Sequence, residues 1–391
     1  MKSVLKQLPG GVVALGVVSL FMDASSEMIH ALLPLFLTST LGASPLALGA
    51  ITGAGEAVVA LVKLLSGVAS DWLGRRKPLV LLGYGLAAAT KPFFALAAST
   101  GGVLALHLVD RCGKGIRGAP RDALIADITP ADQRGAAYGL RQGMDTAGAF
   151  IGPSLAMLLM WISANNIRFV FGWAIIPALL AVLTIVFFVR EPEQARARTA
   201  QTRRQFPIRR AALAQLPRSY WTVVIAASAL SLARFSEAFL LLRGSDAGLS
   251  GALVPVVMLT MNVVYAFSAY PLGVLADRLS RRQLLTGGVA LLVAAHAVLA
   301  LGGLVPLFAG VLLWGLHMGA TQGLLSALVA DHSPPELRAT AFGMFNLAGA
   351  GAALAGGVLA GALWSSPGPA WAFGAGAVLA SAALGLALRL R

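Results

Sequence analysis

The sequence predicts an all-α membrane protein with about twelve transmembrane helices in two pseudo-symmetric six-helix bundles. Hydrophobic residues make up 58% of the 391 residues and charged residues 12%, whereas soluble domains contain roughly 45–50% apolar and about 25% charged residues. The apolar residues form segments of about 20, the length that crosses a bilayer as a helix. Matching motifs in the two halves indicate an internal repeat.

An apolar segment in lipid has to satisfy its backbone hydrogen bonds internally, so each span is predicted to be a helix. Hydropathy places the spans, in order, at 11–38, 45–70, 78–98, 101–125, 138–162, 167–189, 219–243, 250–275, 283–303, 305–328, 338–363 and 369–389. We therefore predict an N-terminal bundle over 1–189, a cytoplasmic linker over 190–218 and a C-terminal bundle over 219–391.

The basic residues determine the predicted orientation. The linker contains eight arginines. Further basic residues fall on the same side of the predicted spans, at Arg75, Arg76, Lys77, Arg134, Arg278, Arg281, Arg282 and Arg338. Because cytoplasmic loops are enriched in Lys and Arg, we expect both termini in the cytoplasm and the chain in a bacterial inner (cytoplasmic) membrane. The net charge of +14 then marks topology and attracts membrane lipids, and no nucleic-acid partner is expected.

Three pairs of matching motifs occur in the same order and at nearly constant separation in the two halves. They are Gly67–Arg76 with Gly273–Arg282, Asp127–Pro130 with Asp331–Pro334, and Ser26-Glu27 with Ser236-Glu237. Such pairs indicate two homologous bundles. Carriers built from repeats bind their substrate near the middle of the membrane.

These motifs resemble those of the major facilitator superfamily. The G-x-x-x-D-x-x-G-R-R stretch of Gly67–Arg76 is similar to the signature loop between its second and third helices. Asp110-Arg111-x-x-x-Gly115 is similar to the motif of proton-coupled members, and Gly148-x-x-x-Gly152-Pro153 to the antiporter motif of exporters. The resemblance implies the major facilitator fold, alternating access, and export in exchange for protons.

A closer resemblance is to a bacterial group that includes nickel-resistance exporters. It is based on Phe21–His30, Gly113–Asp122 and Arg234–Phe239. This resemblance implies a divalent metal as one candidate cargo. The metal ligands would then be Asp23, Glu27 and His30.

The signature loop implies a cytoplasmic gate. By resemblance, Arg75, which follows Asp71 at the end of the second helix, pairs with an acid at the cytoplasmic end of the fourth helix, and Asp127 is the candidate. The corresponding residues of the second copy are Asp277, Arg281 and Asp331. Pairs of this kind would hold the gate closed.

The first helix contains the most informative polar residues. Asp23, Glu27 and His30 share one helix face. An ionised carboxylate in hydrocarbon is costly, so this face is expected to look into the bundle or a water-filled cavity. Glu56 in the second helix is a further candidate. Because desolvation favours the neutral form of a carboxyl group, these acids suit proton exchange.

The fourth helix is unusually charged. By resemblance, Arg111 is the proton-coupling arginine, and Asp110 is expected to pair with Lys114 or with Lys91 in the third helix.

The remaining candidates lie in the fifth and seventh helices. Asp145 is expected to face the cavity, one turn after Arg141. Arg234 and Glu237 are the mid-membrane charges of the second half and are expected to pair with each other or across to the first half.

The leading functional prediction is a secondary transporter that exports a small cation, either a divalent metal such as nickel or a cationic drug, in exchange for protons. The buried bases keep open an anionic cargo such as a siderophore or organic acid, and also uptake. A receptor or membrane enzyme is a remote alternative. No Walker loop or enzyme motif is present, so we expect no enzymatic activity, no cofactor beyond the proton gradient, and a monomer.

Overall fold

The computed structural model describes residues 8–73, 75–130, 133–191, 215–276, 280–334 and 337–389. These residues form helices joined by short turns, and no strand occurs among them. The predicted all-α class is confirmed.

The first half contains six membrane-length helical segments, two of them interrupted. They are α1 Gly10–His30, extended by Leu33–Leu35 and a π-helical turn at Phe36–Thr40; α2 Pro45–Leu73; α3 Lys77–Leu96; α4 Thr100–Ile128; α5 Arg134–Ile162; and α6a Ile167–Trp173 with α6b Ile175–Phe188.

The second half repeats this order. Its helices are α7a Arg218–Ala233 with α7b Ala238–Asp246, α8 Val256–Ala276, α9 Arg281–Leu301, α10 Leu304–Asp331, α11 Arg338–Ser365 and α12 Pro369–Ala387.

Length and composition alone make ten of the described helical segments able to cross a membrane. The predicted fourth and eighth spans are the two others. The apolar part of α8 is shorter, Val256–Ala269, and α4 carries several charged residues along its length. Charges in a membrane helix are expensive and usually functional, so α4 is the first pointer to a site.

The chain divides into two compact units that do not follow sequence order. Of the described residues, unit 1 contains those within Met1–His30 and Val58–Pro207, and unit 2 those within Ala31–Ala57 and Ile208–Arg391. The first half of α2 belongs to unit 2 because Gly49 and Gly53 let it approach α11 closely. A Cβ on Gly53 would lie 2.7 Å from Leu354 Cα. Most of the predicted linker, at 192–214, lies outside the described residues, and the predicted domain boundaries stay a prediction.

Equivalent helices pack together within each unit. In unit 1, α1 packs against α5 and α6b, and α3 against α4 and α6b; in unit 2, α7a packs against α11 and α12, and α9 against α10 and α12. A Cβ on Gly152 of α5 would lie 2.6 Å from Ala24 O of α1, and a Cβ on Gly356 of α11 would lie 2.5 Å from Leu232 O of α7a. The repeat seen in the sequence therefore extends to a shared backbone contact.

That contact also sets the register between the two copies. It places Phe235, and not Glu237, at the position of Glu27. The sequence match, which pairs Glu27 with Glu237, thus differs by two residues from the alignment that the structure gives.

Helix α1 lies at the centre of unit 1. Leu15, Val18 and Met22 are fully buried in one apolar cluster that also contains Tyr84 of α3 and Ile185 of α6b. The polar residues of α1 that follow Met22 are consequently held in place by a packed core on their N-terminal side.

We predict that Gly152→Ala destabilises the protein by roughly 1–3 kcal/mol, because the new methyl group overpacks the α1–α5 contact. Its Cβ would lie 2.6 Å from both Ala24 O and Glu27 Cβ. Thermal unfolding in detergent measures the change. Gly143→Ala is the matched control in the same helix, because a Cβ there meets nothing within 4 Å. Equal unfolding temperatures for the two variants would contradict the packing described here.

Candidate functional site

The last turn of α1 holds two of the predicted site residues. Glu27 and His30 lie one turn apart, and α1 ends at His30. The helix can approach α5 here because Gly148 and Gly152 have no side chains. Cβ atoms on these glycines would lie 3.0 Å from Asp23 Cβ and 2.6 Å from Glu27 Cβ. The glycines of the predicted antiporter motif therefore pack directly behind the acidic residues of α1, and Pro153 follows within α5.

His30 is bound to the guanidinium group of Arg111. Arg111 Nη2 makes a close contact with His30 Nε2 and lies 3.3 Å from Nδ1. Because arginine can only donate, Nε2 is the acceptor and the imidazole is neutral, with its proton on Nδ1. His30 Nδ1 lies 3.5 Å from Glu27 Oε1. The imidazole thus separates a fixed positive charge from a carboxyl group.

Asp110 is held by Lys91. Lys91 Nζ lies 2.8 Å from Asp110 Oδ1 and donates a second hydrogen bond to Ser26 Oγ at 3.2 Å. The side chains of Lys91 and Asp110 are only 1% and 5% exposed. Asp110 Oδ2 lies 3.9 Å from Arg111 Nε. Of the two partners predicted for Asp110, the structure selects Lys91.

These residues form one polar group inside unit 1, which we call the His30 cluster. It consists of Glu27, His30, Lys91, His107, Asp110 and Arg111. The rings of His30 and His107 are 6.1 Å apart in an edge-to-face arrangement. Two buried atoms, Glu27 Oε2 and His107 Nδ1, accept no hydrogen bond from the described residues. A buried acceptor without a donor is costly, so these atoms are where a proton or a donor group of a solute would be stabilised.

A second polar group, the Arg121 cluster, lies nearer the α1 N-terminus. Arg121 Nη1 donates to Ser19 Oγ and to Tyr84 Oη, and Arg121 Nε lies 3.3 Å from Asp122 Oδ1. Arg141 Nη1 lies 2.6 Å from Asp145 Oδ2. The expected α5 ion pair is present, and four helices of unit 1 meet in this cluster.

The other predicted residues occupy separate places. Asp23 interacts electrostatically with Asp145. Lys114 is exposed one turn beyond Arg111 on α4, and its charge acts on both Glu27 and His30. Glu56 belongs to unit 2.

Arg234 and Glu237 lie where α7 is interrupted, between Ala233 and Ala238. Among the described residues Arg234 forms no ion pair with Glu237, so the predicted mutual pair is absent. The interruption turns the backbone after Arg234, so that the two side chains are not on one continuous helix face.

The predicted metal site is not assembled. Within the described ranges, no three His, Cys, Asp or Glu side chains lie close enough together to hold a metal ion. The structure does not bring the expected ligand set of Asp23, Glu27 and His30 together: His30 contacts Arg111, and Asp23 interacts electrostatically with Asp145.

The predicted ion-pair partner of Asp127 also needs correction. Asp127 forms its ion pair with Arg76, Nη1 to Oδ2 at 3.1 Å, where the sequence motif predicts Arg75. The Arg76 backbone amide is also held by Glu191, which fixes the direction of the neighbouring side chain. The side chains of Asp71 and Arg281, and all of Asp277, lie outside the described residues. Asp331 is the last residue of α10.

Sequence reasoning gave no site role to His107 and only a partner role to Lys91. A lysine in the middle of an otherwise apolar helix was the available signal for Lys91, since such a charge needs a partner. His107 precedes Arg111 by one helical turn, so its position on the same face of α4 could also have been read from the spacing.

Comparison with known proteins identifies the family. The model of the Major Facilitator Superfamily matches residues 15–261 and 238–391. An uncharacterized MFS-type transporter of Methanocaldococcus jannaschii is 30% identical, over 96% of this chain and 93% of its own length. The chain therefore belongs to the Major Facilitator Superfamily and is a multi-pass membrane transporter rather than an enzyme.

Solved structures show the same fold at low sequence identity. A bacterial homologue of the human lysosomal transporter Spinster, inward-facing and occupied, has a TM-score of 0.78 at 16% identity, with 96% of this chain and 95% of that chain covered. The nucleoside transporter NupG has a TM-score of 0.77 at 15% identity, with 96% of this chain and 98% of that chain covered.

We predict an interaction energy of about 0.5–1 kcal/mol between Arg76 and Asp127 in a double-mutant cycle with Arg76→Gln and Asp127→Asn, since the pair is partly exposed. Unfolding of the purified protein in detergent provides the four free energies. The same cycle with Arg75→Gln is the matched control and should give a value near zero. A larger value for Arg75 than for Arg76 would make Arg75 the gate residue instead.

Proposed function

We propose that this transporter exports a small organic cation in exchange for a proton, and that both compete for the Glu27 carboxylate. One observation carries the proposal. The Glu27 side chain is partly buried, at 22% exposed; its Oε2 is shielded from solvent and has no hydrogen-bond donor among the described residues, and its Oε1 faces an imidazole held by Arg111.

Two opposing influences act on this carboxyl group. Burial favours the neutral form of a carboxyl group, and the nearby positive charges of Lys114, Arg111 and Lys91 favour the charged form. A group under such opposed influences can take both protonation states, which is the requirement for a group that gains and loses a proton in every cycle. Asp110 is unsuited to this task because Lys91 already neutralises it at 2.8 Å.

Competition between a proton and a cation for one carboxylate is by itself sufficient to couple the movement of one to that of the other. A protonated Glu27 offers no charge to a cation, and a bound cation excludes the proton. Each exposure to one side of the membrane then ends with one or the other bound, as alternating access requires. The export direction is supported by the antiporter motif, whose Gly152 lies behind Glu27.

An organic cation is favoured over a metal ion. A divalent metal needs several oxygen or nitrogen ligands converging on one point, and the described residues offer no such set. An organic cation needs only one carboxylate and apolar walls. The resemblance to nickel exporters therefore does not determine the cargo that we propose.

We expect purified protein in weakly buffered detergent to release protons when tetraphenylphosphonium is added. The release should be largest at a pH where Glu27 carries its proton, and it should fall at least tenfold in Glu27→Gln. A pH indicator dye measures it, with NiCl₂ as the metal probe. Asp246→Asn is the matched control, since Asp246 belongs to unit 2 and already pairs with Arg243. Undiminished release from Glu27→Gln, or release by nickel alone, would contradict the proposal.

The direction of transport is tested separately, in membrane vesicles. Everted membrane vesicles acidified inside should accumulate ethidium when they contain the wild-type protein, because cytoplasmic-side loading is coupled to proton exit. Collapse of the proton gradient should abolish accumulation. Ethidium accumulation only in right-side-out vesicles would show uptake instead.

Arg234 favours a second candidate, an anionic solute. This half-buried residue lies at the α7 interruption and forms no ion pair or side-chain hydrogen bond with the residues the structure describes. It interacts electrostatically with Tyr265 and His317. Charged side chains inside membranes almost always have a partner, and a guanidinium pairs best with carboxylate or phosphate. A solute with such a group would supply the counter-charge.

For this second candidate, we predict that benzoate raises the unfolding temperature of the wild-type protein. The effect should persist in Arg234→Lys and disappear in Arg234→Gln, because the anion follows the charge. Thermal-shift measurements at constant ionic strength separate it from general salt effects. Stabilisation by tetraphenylphosphonium but not by benzoate would leave the cationic cargo as the only candidate.

A further inference from the structure

The ion pair between Lys91 and Asp110 takes no part in the exchange described above, yet it is among the most deeply buried polar contacts of unit 1. Lys91 Nζ connects three helices, since it lies on α3, contacts Asp110 of α4 at 2.8 Å and donates to Ser26 Oγ of α1 at 3.2 Å. Both side chains are almost completely shielded from solvent.

In unit 2, uncharged residues occupy the positions equivalent to Lys91 and Asp110. Asp110 and Trp314 are each ten residues after the start of their helices, α4 and α10. On α9, His296 contacts Trp314, with ring centroids 5.2 Å apart, and donates from Nε2 to Ala233 O of α7a at 2.9 Å. His296 thus repeats the contacts of Lys91 to the two neighbouring helices. The fold itself does not require an ion pair at this position.

Stability does not explain the pair either. Removing two charges from water costs as much as or more than their attraction returns, and well-packed neutral replacements are often as stable. What the charged pair has, and its neutral counterpart lacks, is a charged third partner. Asp110 Oδ2 lies 3.9 Å from Arg111 Nε, and the other end of that guanidinium is bound to His30.

We propose that Lys91 and Asp110 are a positioning pair, which divides Arg111 between Asp110 and His30 and thereby sets the pH at which Glu27 exchanges its proton. This inference rests on the proposed role of Glu27. It adds two residues on α3 and α4 that touch neither proton nor solute and act through Arg111.

The sign of each substitution follows from charge. Without the lysine charge, Asp110 is free to draw Arg111 away from His30, and Glu27 loses positive neighbours; it then holds its proton to higher pH. Without the aspartate charge, Lys91 and Arg111 are both uncompensated near Glu27, which then loses its proton at lower pH. If the pair had only a structural role, the two substitutions would not shift the pH at which Glu27 loses its proton in opposite directions.

Other charges around Glu27 act equally in all variants. Helix α6b, which packs against α1, has no titratable residue between Ile175 and Phe188. The other ionisable residues on the elements packed around α1 include Asp23 and His30 of α1 itself, His107, Lys114, Arg117, Arg121 and Asp122 of α4, Arg134, Arg141 and Asp145 of α5, and Arg168 of α6a. None of them is changed by the substitutions.

Infrared difference spectroscopy of the full-length protein in lipid tests the inference. The carboxyl C=O band that disappears in Glu27→Gln reports the protonation of Glu27 directly and requires no substrate. We expect its midpoint to move up by about one pH unit in Lys91→Met and down by about one pH unit in Asp110→Asn. Lys91→Arg, which keeps the charge, should restore the wild-type midpoint to within a few tenths of a unit.

The double variant Lys91→Met with Asp110→Asn guards against misfolding of the single variants, because neither member of the pair is left as a buried charge without the other. In it Arg111 is released from Asp110 toward His30, so the midpoint should again move down. Shifts in the same direction for both single variants, or an unchanged midpoint in the double variant, would overturn the positioning role. Because the band needs no transport, failure of the proton-exchange proposal would be seen separately, as undiminished proton release from Glu27→Gln.

Discussion

The contact between the Arg111 guanidinium and the His30 imidazole is the constraint on which the rest of the candidate site depends. It fixes the imidazole as a neutral acceptor and places a permanent positive charge one side chain away from Glu27. Asp110 and Lys91 occupy the far side of the same guanidinium. In a low-dielectric interior such a chain of polar groups acts as a unit, so a change at either end is felt at the other.

Close helix packing makes this arrangement possible. Glycines on α5 bring its backbone against α1 behind Asp23 and Glu27, and Gly113 of α4 brings α4 against α3, where a Cβ would lie 2.6 Å from Gly83 O. Helix association in lipid depends on such contacts because no hydrophobic force holds the helices together. The glycines of the predicted antiporter motif therefore do two things in this chain: they join two helices and they pack α5 directly against the acidic residues of α1.

Much of the fold could be predicted from the sequence because hydropathy, basic residues and repeated motifs are local signals. The helix order and the acidic face of α1 were of this kind. Contacts between distant residues were harder. The ion pair of Asp127 with Arg76 instead of Arg75, and the separation of Asp23 from His30, depend on side-chain directions that spacing does not reveal. The interruption of α7 at Arg234 was missed because no proline or glycine marks it. The partner of Asp110 was narrowed to two lysines, and only packing could choose between them.

The central claim, that Glu27 is where proton and solute exchange, is tested most directly by separating solute exchange from proton-driven transport in proteoliposomes. With ethidium as the probe, wild-type protein should perform both exchange of internal for external ethidium and accumulation driven by a pH gradient. Any exchange that the Glu27→Gln variant retains should be independent of pH, and this variant should accumulate nothing. Accumulation by Glu27→Gln at the wild-type level would contradict the account.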